Sequence, residues 1–340
     1  MSPQDSPNAP RRRGLQRAIL AAVALVVLLV AGLMWWWDTE PPLFDPVAAT
    51  QTQMRELNRP VSVGSTTTVT LIQSVRTLLD KRGGYLSNDK IPPGVFLDNL
   101  PNWEFGSLTA SRDLVRALRN DFSRSQTQST EDKDLAEADP LLNSPNDRWL
   151  LPSSEGQYRK AIKHLDGYLA RLGDEDNSRA RFYARADNLS DYLQVASSRL
   201  GSLSQRLSAS VGQMRLGDVD VTDPASASST RMPEADQLVK TPWNKIDDNF
   251  YEARGYTWTL LQQLKAIQQD FGPILRSKRA DVSLEQVIRE LEEAQRPLHS
   301  PMVLNGSPFG FFANHSLVMA NYVSRANAAL IDLRELLKRG

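Results

Sequence analysis

Residues 18–37 read AILAAVALVVLLVAGLMWWW, an unbroken run with no charge and nothing more polar than tryptophan. At about 1.5 Å per residue this makes a helix of roughly 30 Å, the thickness of a bilayer's hydrocarbon core. A helix is required there because its backbone groups satisfy one another where no water is present. The run is therefore predicted to span a membrane, and the rest of the chain is read by which side of it each residue lies on. A cleaved signal peptide also pairs a basic start with an apolar core. Its core is usually shorter and ends in small residues, whereas this one ends in Trp35, Trp36 and Trp37 followed by DTEPP. An uncleaved signal-anchor fits better.

The flanks predict an orientation. Arg11, Arg12, Arg13 and Arg17 precede the run, and Asp38, Glu40 and Asp45 follow it. The positive-inside rule then places residues 1–17 in the cytoplasm and residues 38–340 across the membrane. The three tryptophans would lie at the far interface, where indole is favoured.

Composition narrows the partners. Four of the 40 basic and one of the 40 acidic residues precede Asp38, so the remainder carries 36 and 39 and a formal charge of −3. That balance argues against nucleic acid, whose phosphates need a basic patch. The chain has no cysteine, which excludes disulfides, thiolate nucleophiles and cysteine zinc sites. Its three histidines, His164, His299 and His315, are too scattered to suggest a local metal motif.

Beyond the span, residues 38–46 form a Pro-rich spacer, expected to lift the folded part off the membrane or turn the chain along it. Residues 47–340 read as one all-α region with flexible segments near 123–147 and 217–240. Short helices are expected over 47–57 and 65–79, the latter despite the strand-favouring run TTTVT. Ser154 is expected to cap a helix that ends at Gly173. Two stripes carry the architecture: Phe182 to Met214 and Ile246 to Ile274 alternate spacings of three and four. Such coiled-coil-like stripes demand helical neighbours. At the standard rise they imply helices of roughly 45–60 Å and an elongated bundle. The first is rich in small residues around Gly201, which permits close backbone approach.

Two loops stand out. Residues 83–106 and 297–316 are dense in Gly, Pro and Asn yet carry many aromatics. Tyr85, Trp103 and Glu104 in the first, with Phe309 and His315 in the second, are the candidate ligand or partner surface. The plainer reading is that both loops plug the end of a helical bundle. They are alike in character, and packing of one on the other is expected. No Gly-rich phosphate loop, metal-binding helix motif or nucleophile elbow is present, so no catalytic residue, cofactor or metal ligand is assigned. Asp247, Asp248 and Glu252 lie near a helix start, where carboxylates are favoured by the helix dipole.

The phrases LLDKRGGYLSNDKIPPGVFLDNLPNWEFG, TEDKDL, WLLPSSEGQYR, FYARADNL and RLGSLSQRLSASVG resemble an uncharacterised family of proteobacterial membrane-anchored proteins classed as a domain of unknown function. The resemblance implies a Gram-negative inner membrane and a periplasmic location for the large part, and it brings no activity. The expectation is a periplasmic scaffold or adaptor of the cell envelope, bound to the bilayer through residues 18–37 and to an envelope protein or to itself. A ligand-binding or sensor module is the alternative, and an envelope-modifying enzyme a third.

Overall fold

The computed structural model describes residues 9–125, 130–172, 180–215, 237–300 and 302–339. Helix α1, Ala9–Trp37, contains the apolar run. Its segment Leu15–Trp37, with a mean hydropathy of 2.8, is long and apolar enough to cross a membrane; its most apolar stretch buries nothing against the rest of the chain, and Trp37 at its close packs on the bundle. The other described residues form a multi-helix bundle with one two-stranded ribbon among them.

Local chemistry accounts for the starts of the first bundle helices. Asp45 caps α2, Pro46–Glu56, by accepting from Val47 N–H at 2.8 Å, with Pro46 in the first turn. Helix α3, Ser65–Asp80, takes in the threonine run. Its Thr68 and Thr70 hydroxyls donate to the carbonyls four residues back at 2.8 and 2.7 Å, so their polar atoms are satisfied inside the core. Burial thus overrides the preference of threonine for strands. No side chain of its own caps α3; the buried carboxylate of Asp270 accepts from the Thr67 N–H and hydroxyl, both at 2.7 Å.

Helix α4, Asn99–Ala117, runs into a π turn over Leu118–Phe122. Helix α5, Lys133–Leu142, lies inside the segment expected to be flexible. Asp132 caps it, and it buries Leu135, Ala138 and Leu142. Residues 126–129 of that segment lie outside the described residues. Helix α6 is Ser154–Leu172. Its first turn is held by Ser153, whose hydroxyl accepts from Gly156 N–H, while Ser154 donates to the Pro145 carbonyl at 2.8 Å. The cap thus falls one residue before the expected Ser154, and Gly173, the expected stop, lies outside the described residues.

The two long stripes give α7, Ala186–Ser208, and α8, Ile246–Asp270. At 23 and 25 residues they are about 35 and 38 Å long, shorter than the stripes implied. Phe182 stands before α7 in extended chain and packs on Phe122 and Phe271. Past α7, β1 (Gln213–Arg215) pairs antiparallel with β2 (Gln237–Val239). The linker between the strands, 216–236, lies outside the described residues. At Gly272-Pro273 the second stripe breaks into the short α9, Gly272–Ser277, as proline requires. Helices α10, Asp281–Ala294, and α11, His315–Lys338, complete the bundle.

Side-chain bonds fix the directions. Helices α4 and α8 run parallel through the centre: Asn102 bonds Asp248, the Ser107 and Thr259 hydroxyls are 2.5 Å apart, and Gln263 donates to the Ala110 carbonyl. Their backbones touch where Gly106 and Gly255 face the other helix. A Cβ on Gly255 would lie 1.8 Å from the Trp103 carbonyl oxygen, and one on Gly106 2.0 Å from that of Glu252. Helix α7 is antiparallel to α8, with Tyr192 on Gln263 and Arg206 on Glu252. Helix α11 is antiparallel to α7, with Ser197 on Asn327 and Ser204 on the Ala320 carbonyl. Helix α10 returns along α8 and α11, with Lys265 on Glu292 and Arg325 on Glu290.

These directions sort the connections between two ends. At one end lie the close of α3, the starts of α4, α6, α8 and α11, and the close of α10. The close of α1 joins this same end. Trp37 packs beside Gly83, whose φ of +79° and 2.8 Å clearance to the indole leave no room for a Cβ. Arg82 stacks over Trp36 at 5.9 Å, and Asp38 accepts from Asn99 at 3.0 Å. Glu40 accepts from Arg254 Nε at 2.6 Å and from the same guanidinium's outer nitrogen. Phe44 packs edge-on against Trp258 at 5.7 Å. Gln262, with its amide turned to satisfy both, brackets the Phe44 peptide at 2.7 and 2.9 Å. The Pro-rich spacer is therefore stitched into the bundle and does not hang free of it.

Candidate functional site

Of the candidates in the first loop, Glu104 is fully buried. Its carboxylate accepts from the Leu86 and Ser87 N–H groups at 2.8 Å each and from the Ser87 hydroxyl at 2.5 Å, and it pairs with Lys81 Nζ at 2.5 Å. Lys81 itself donates to the Gly84 carbonyl. A charge taken so far out of water is tolerated because it is paired and its lone pairs are filled. The cluster clamps the turn after α3 onto the start of α4. Tyr85, next in this turn, donates to the Asn146 carbonyl at 3.1 Å and meets Tyr158 edge-on at 5.6 Å. Burial pushes its hydroxyl well above the usual phenol range, so it stays protonated. Trp103 is enclosed between α4 and α8, its ring 5.2 Å from Trp258. These three residues form one interior cluster.

The second loop is built differently. Leu304 and His315 are tied twice, His315 N–H to the Leu304 carbonyl at 2.8 Å and Leu304 N–H to His315 Nδ1 at 2.9 Å. Asn305 and Asn314 form an antiparallel bridge, and Gly306 N–H donates to the Ala313 carbonyl at 3.0 Å. Asn314 donates to the Gly306 carbonyl at 2.7 Å and also caps α11 by accepting from Leu317 N–H at 2.9 Å. The result is a short hairpin standing on the start of α11. At its tip Phe309 and Phe311 are fully exposed, at 102% and 98%, and Phe312 is exposed at 70%.

Under the hairpin lies a groove of about 590 Å³ between α8, α10 and α11. Phe250, Leu304, Val318 and Met319 make its apolar wall, and Arg254, Arg296, His299 and His315 edge it. Arg254 also donates to the Ala294 and Arg296 carbonyls at 3.0 and 2.9 Å, so one guanidinium ties the spacer, α8 and the groove rim together. Burial lowers the pKa of His315, and because Nδ1 accepts a hydrogen bond the ring is neutral and carries its proton on Nε2. A broader depression of about 790 Å³ lies between the spacer and α3.

The structure thus divides the predicted residues. Tyr85, Trp103 and Glu104 come together in the interior; Phe309 and His315 lie at opposite ends of the second hairpin, one at its exposed tip and the other at its base. None of residues 83–106 lines the groove. Sequence reading missed Glu40 and Arg254, which lie 214 positions apart. It also passed over Phe311 and Phe312, although FGFF at 309–312 was a visible signal. Asp248 pairs with Lys245 and Asn102, and Glu252 with Arg206, so these carboxylates are engaged in packing. His164 lies 3.1 Å from Asp134 on α5. Among the described residues no group of three His, Cys, Asp or Glu is placed to hold a metal ion.

The fold and its site describe a helical protein with one membrane-spanning-type helix and a bundle joined to that helix's end. The chain belongs to the family described as an uncharacterized protein conserved in bacteria (DUF2333), matched over residues 11–340. No curated protein and no solved structure matches it.

Proposed function

We propose that this protein is a non-catalytic, single-pass scaffold of the bacterial inner membrane. Residues 1–17 face the cytoplasm and residues 38–340 the periplasm, where the bundle holds an envelope partner at a fixed position over the bilayer. The observation that carries this reading is the stitching of residues 38–44 into the bundle. A tether that only anchored a domain would need no Glu40–Arg254 pair or Phe44 socket, whereas a scaffold that sets position does. The arginines before the span and the acids after it support the orientation. Crosslinking in native membranes, then mass spectrometry of the full-length protein, tests the role: a reproducible envelope partner supports it, and recovery of the protein alone counts against it. A reporter fused at Gly340 tests the orientation and is active only outside the cytoplasm.

The groove favours a second reading, a ligand-binding module. Its size and apolar lining suit a small amphipathic ligand. Native mass spectrometry of the protein released from membranes shows an added mass under this reading and none under the first.

A further inference from the structure

Outside α1, the Phe and Trp side chains most exposed to solvent are Phe96, Trp149, Trp243, Phe309, Phe311 and Phe312. They come from four separate connections, each fastened to the end of the bundle that α1 joins. Phe96 lies between α3 and α4. Trp149 lies in the loop before α6, which Asn88 holds by donating to the Arg148 carbonyl at 3.0 Å. Trp243 sits in the turn before α8, where Lys245 and Asn102 both grip Asp248. The three phenylalanines tip the hairpin before α11. Leu150, Leu151, Ile91 and Met302 are exposed beside them. The remaining exposed one, Phe105, is in the second turn of α4 at the same end. The opposite end exposes Val61, Val63 and Val282 and, among the described residues, no Phe or Trp.

We infer that this aromatic crown is a membrane-contact surface, seated in the interfacial layer of the same bilayer that α1 crosses. The inference rests on the reading of α1 as a membrane span. What identifies the occupant is continuity: the crown lies at the end of the bundle where α1 closes with Trp36 and Trp37, and those tryptophans mark the water–lipid boundary. Aromatic side chains are favoured in that layer, and exposed apolar patches of this kind mark contact surfaces. The hairpin suits shallow insertion, because its stalk satisfies its own backbone groups and only the tip reaches lipid. The crown and the stitched spacer then work together, one holding the bundle to α1 and the other to the lipid around it.

The absence of native cysteine permits a direct test. Single cysteines at Phe309→Cys, Trp149→Cys, Val282→Cys and Leu25→Cys are spin-labelled in the full-length chain and reconstituted in vesicles of phosphatidylethanolamine and phosphatidylglycerol. Relaxation by oxygen, which partitions into lipid, is compared with relaxation by a water-soluble nickel chelate. The crown predicts oxygen-dominated relaxation at 309, 149 and 25 and nickel-dominated relaxation at 282. Nickel-dominated relaxation at 309 and 149, with 25 still in lipid, overturns the crown and leaves the anchor standing. Nickel access at 25 as well overturns both. Labels at 309 and 149 that are open to nickel in vesicles but shielded in native membranes would assign the surface to a protein partner and overturn the proposal. All four substituted positions are exposed, so labelling leaves the core intact.

Discussion

At the scale of single residues, the tightest constraint is the contact of Gly106 and Gly255. A methyl group on either meets a carbonyl oxygen of the facing helix at 2.0 Å or less, and main chain cannot move aside as a side chain can. Gly106→Ala or Gly255→Ala is expected to cost on the order of 3 kcal/mol or more in urea unfolding. Gly201→Ala is the contrast. It sits mid-helix, and a Cβ there meets only Asn327 Nδ2 at an ordinary 3.6 Å. The substitution should stabilise by about 0.5–1 kcal/mol. The sequence showed Gly201 plainly, inside a run of small residues, but said nothing of Gly106 and Gly255, whose meaning exists only once two helices are laid side by side. His315 carries a pH dependence. Burial depresses its folded-state pKa below the ordinary 6.5, so the unfolded chain binds more protons in the interval between the two values. Its stabilising contribution is therefore complete above pH 6.5 and is lost as pH falls through the lower, folded-state value. Protonation also takes the Nδ1 lone pair from Leu304 N–H. Among the groups that line the groove, Arg254 and Arg296 carry the same sign as the new charge and Glu293 the opposite one. Hydrogen exchange at Leu304 should accelerate below pH 6.5, corrected for intrinsic rates, and His315→Asn should flatten that response. An unchanged profile in the native chain would contradict it.

At the scale of elements, the loops that looked alike in sequence do different work. Residues 85–88 fold inward around Glu104, whereas 302–314 stand outward as a hairpin. Gly, Pro and aromatic content is the same signal for both, and the difference lies in a lysine and a glutamate that pair across 23 positions, Lys81 and Glu104. Glu104→Ala leaves Lys81 buried without its partner and strips acceptors from two N–H groups. It is expected to destabilise by about 3–5 kcal/mol in thermal or urea unfolding; a loss below 1 kcal/mol would mean that the turn is held by other contacts. Helix positions were legible because their stripes are long and periodic. Helix α5 was not, since ten residues with Pro140 inside carry too short a stripe to separate from the polar segment before it. The overlong estimates for α7 and α8 have one cause. Apolar residues at either end, Phe182 and Ile274, belong to the core but reach it from outside the helix, through extended chain before α7 and through α9.

At the scale of the whole molecule, residues 38–44 join the apolar helix α1 to the bundle through Glu40 on Arg254 and Phe44 on Trp258. The apolar run and its flanks were fully legible in sequence, being local. The joint was not, because DTEPPLFDP looks like any spacer until Arg254 is placed against Glu40 and Trp258 against Phe44. Arg254 is nearly buried and makes bonds to both Glu40 and the groove rim. Glu40→Ala leaves that guanidinium short of its counter-charge, at a cost of roughly 3 kcal/mol, and should free the spacer. The decisive measurement is the distance distribution between nitroxides at Val26→Cys on α1 and Val282→Cys at the far end of the bundle, recorded by pulsed electron resonance on the full-length chain in lipid nanodiscs. A stitched joint predicts one narrow peak, broadened by Glu40→Ala. A broad distribution in the otherwise native chain, unchanged by Glu40→Ala, would show a bundle swinging on a free tether and would contradict the account.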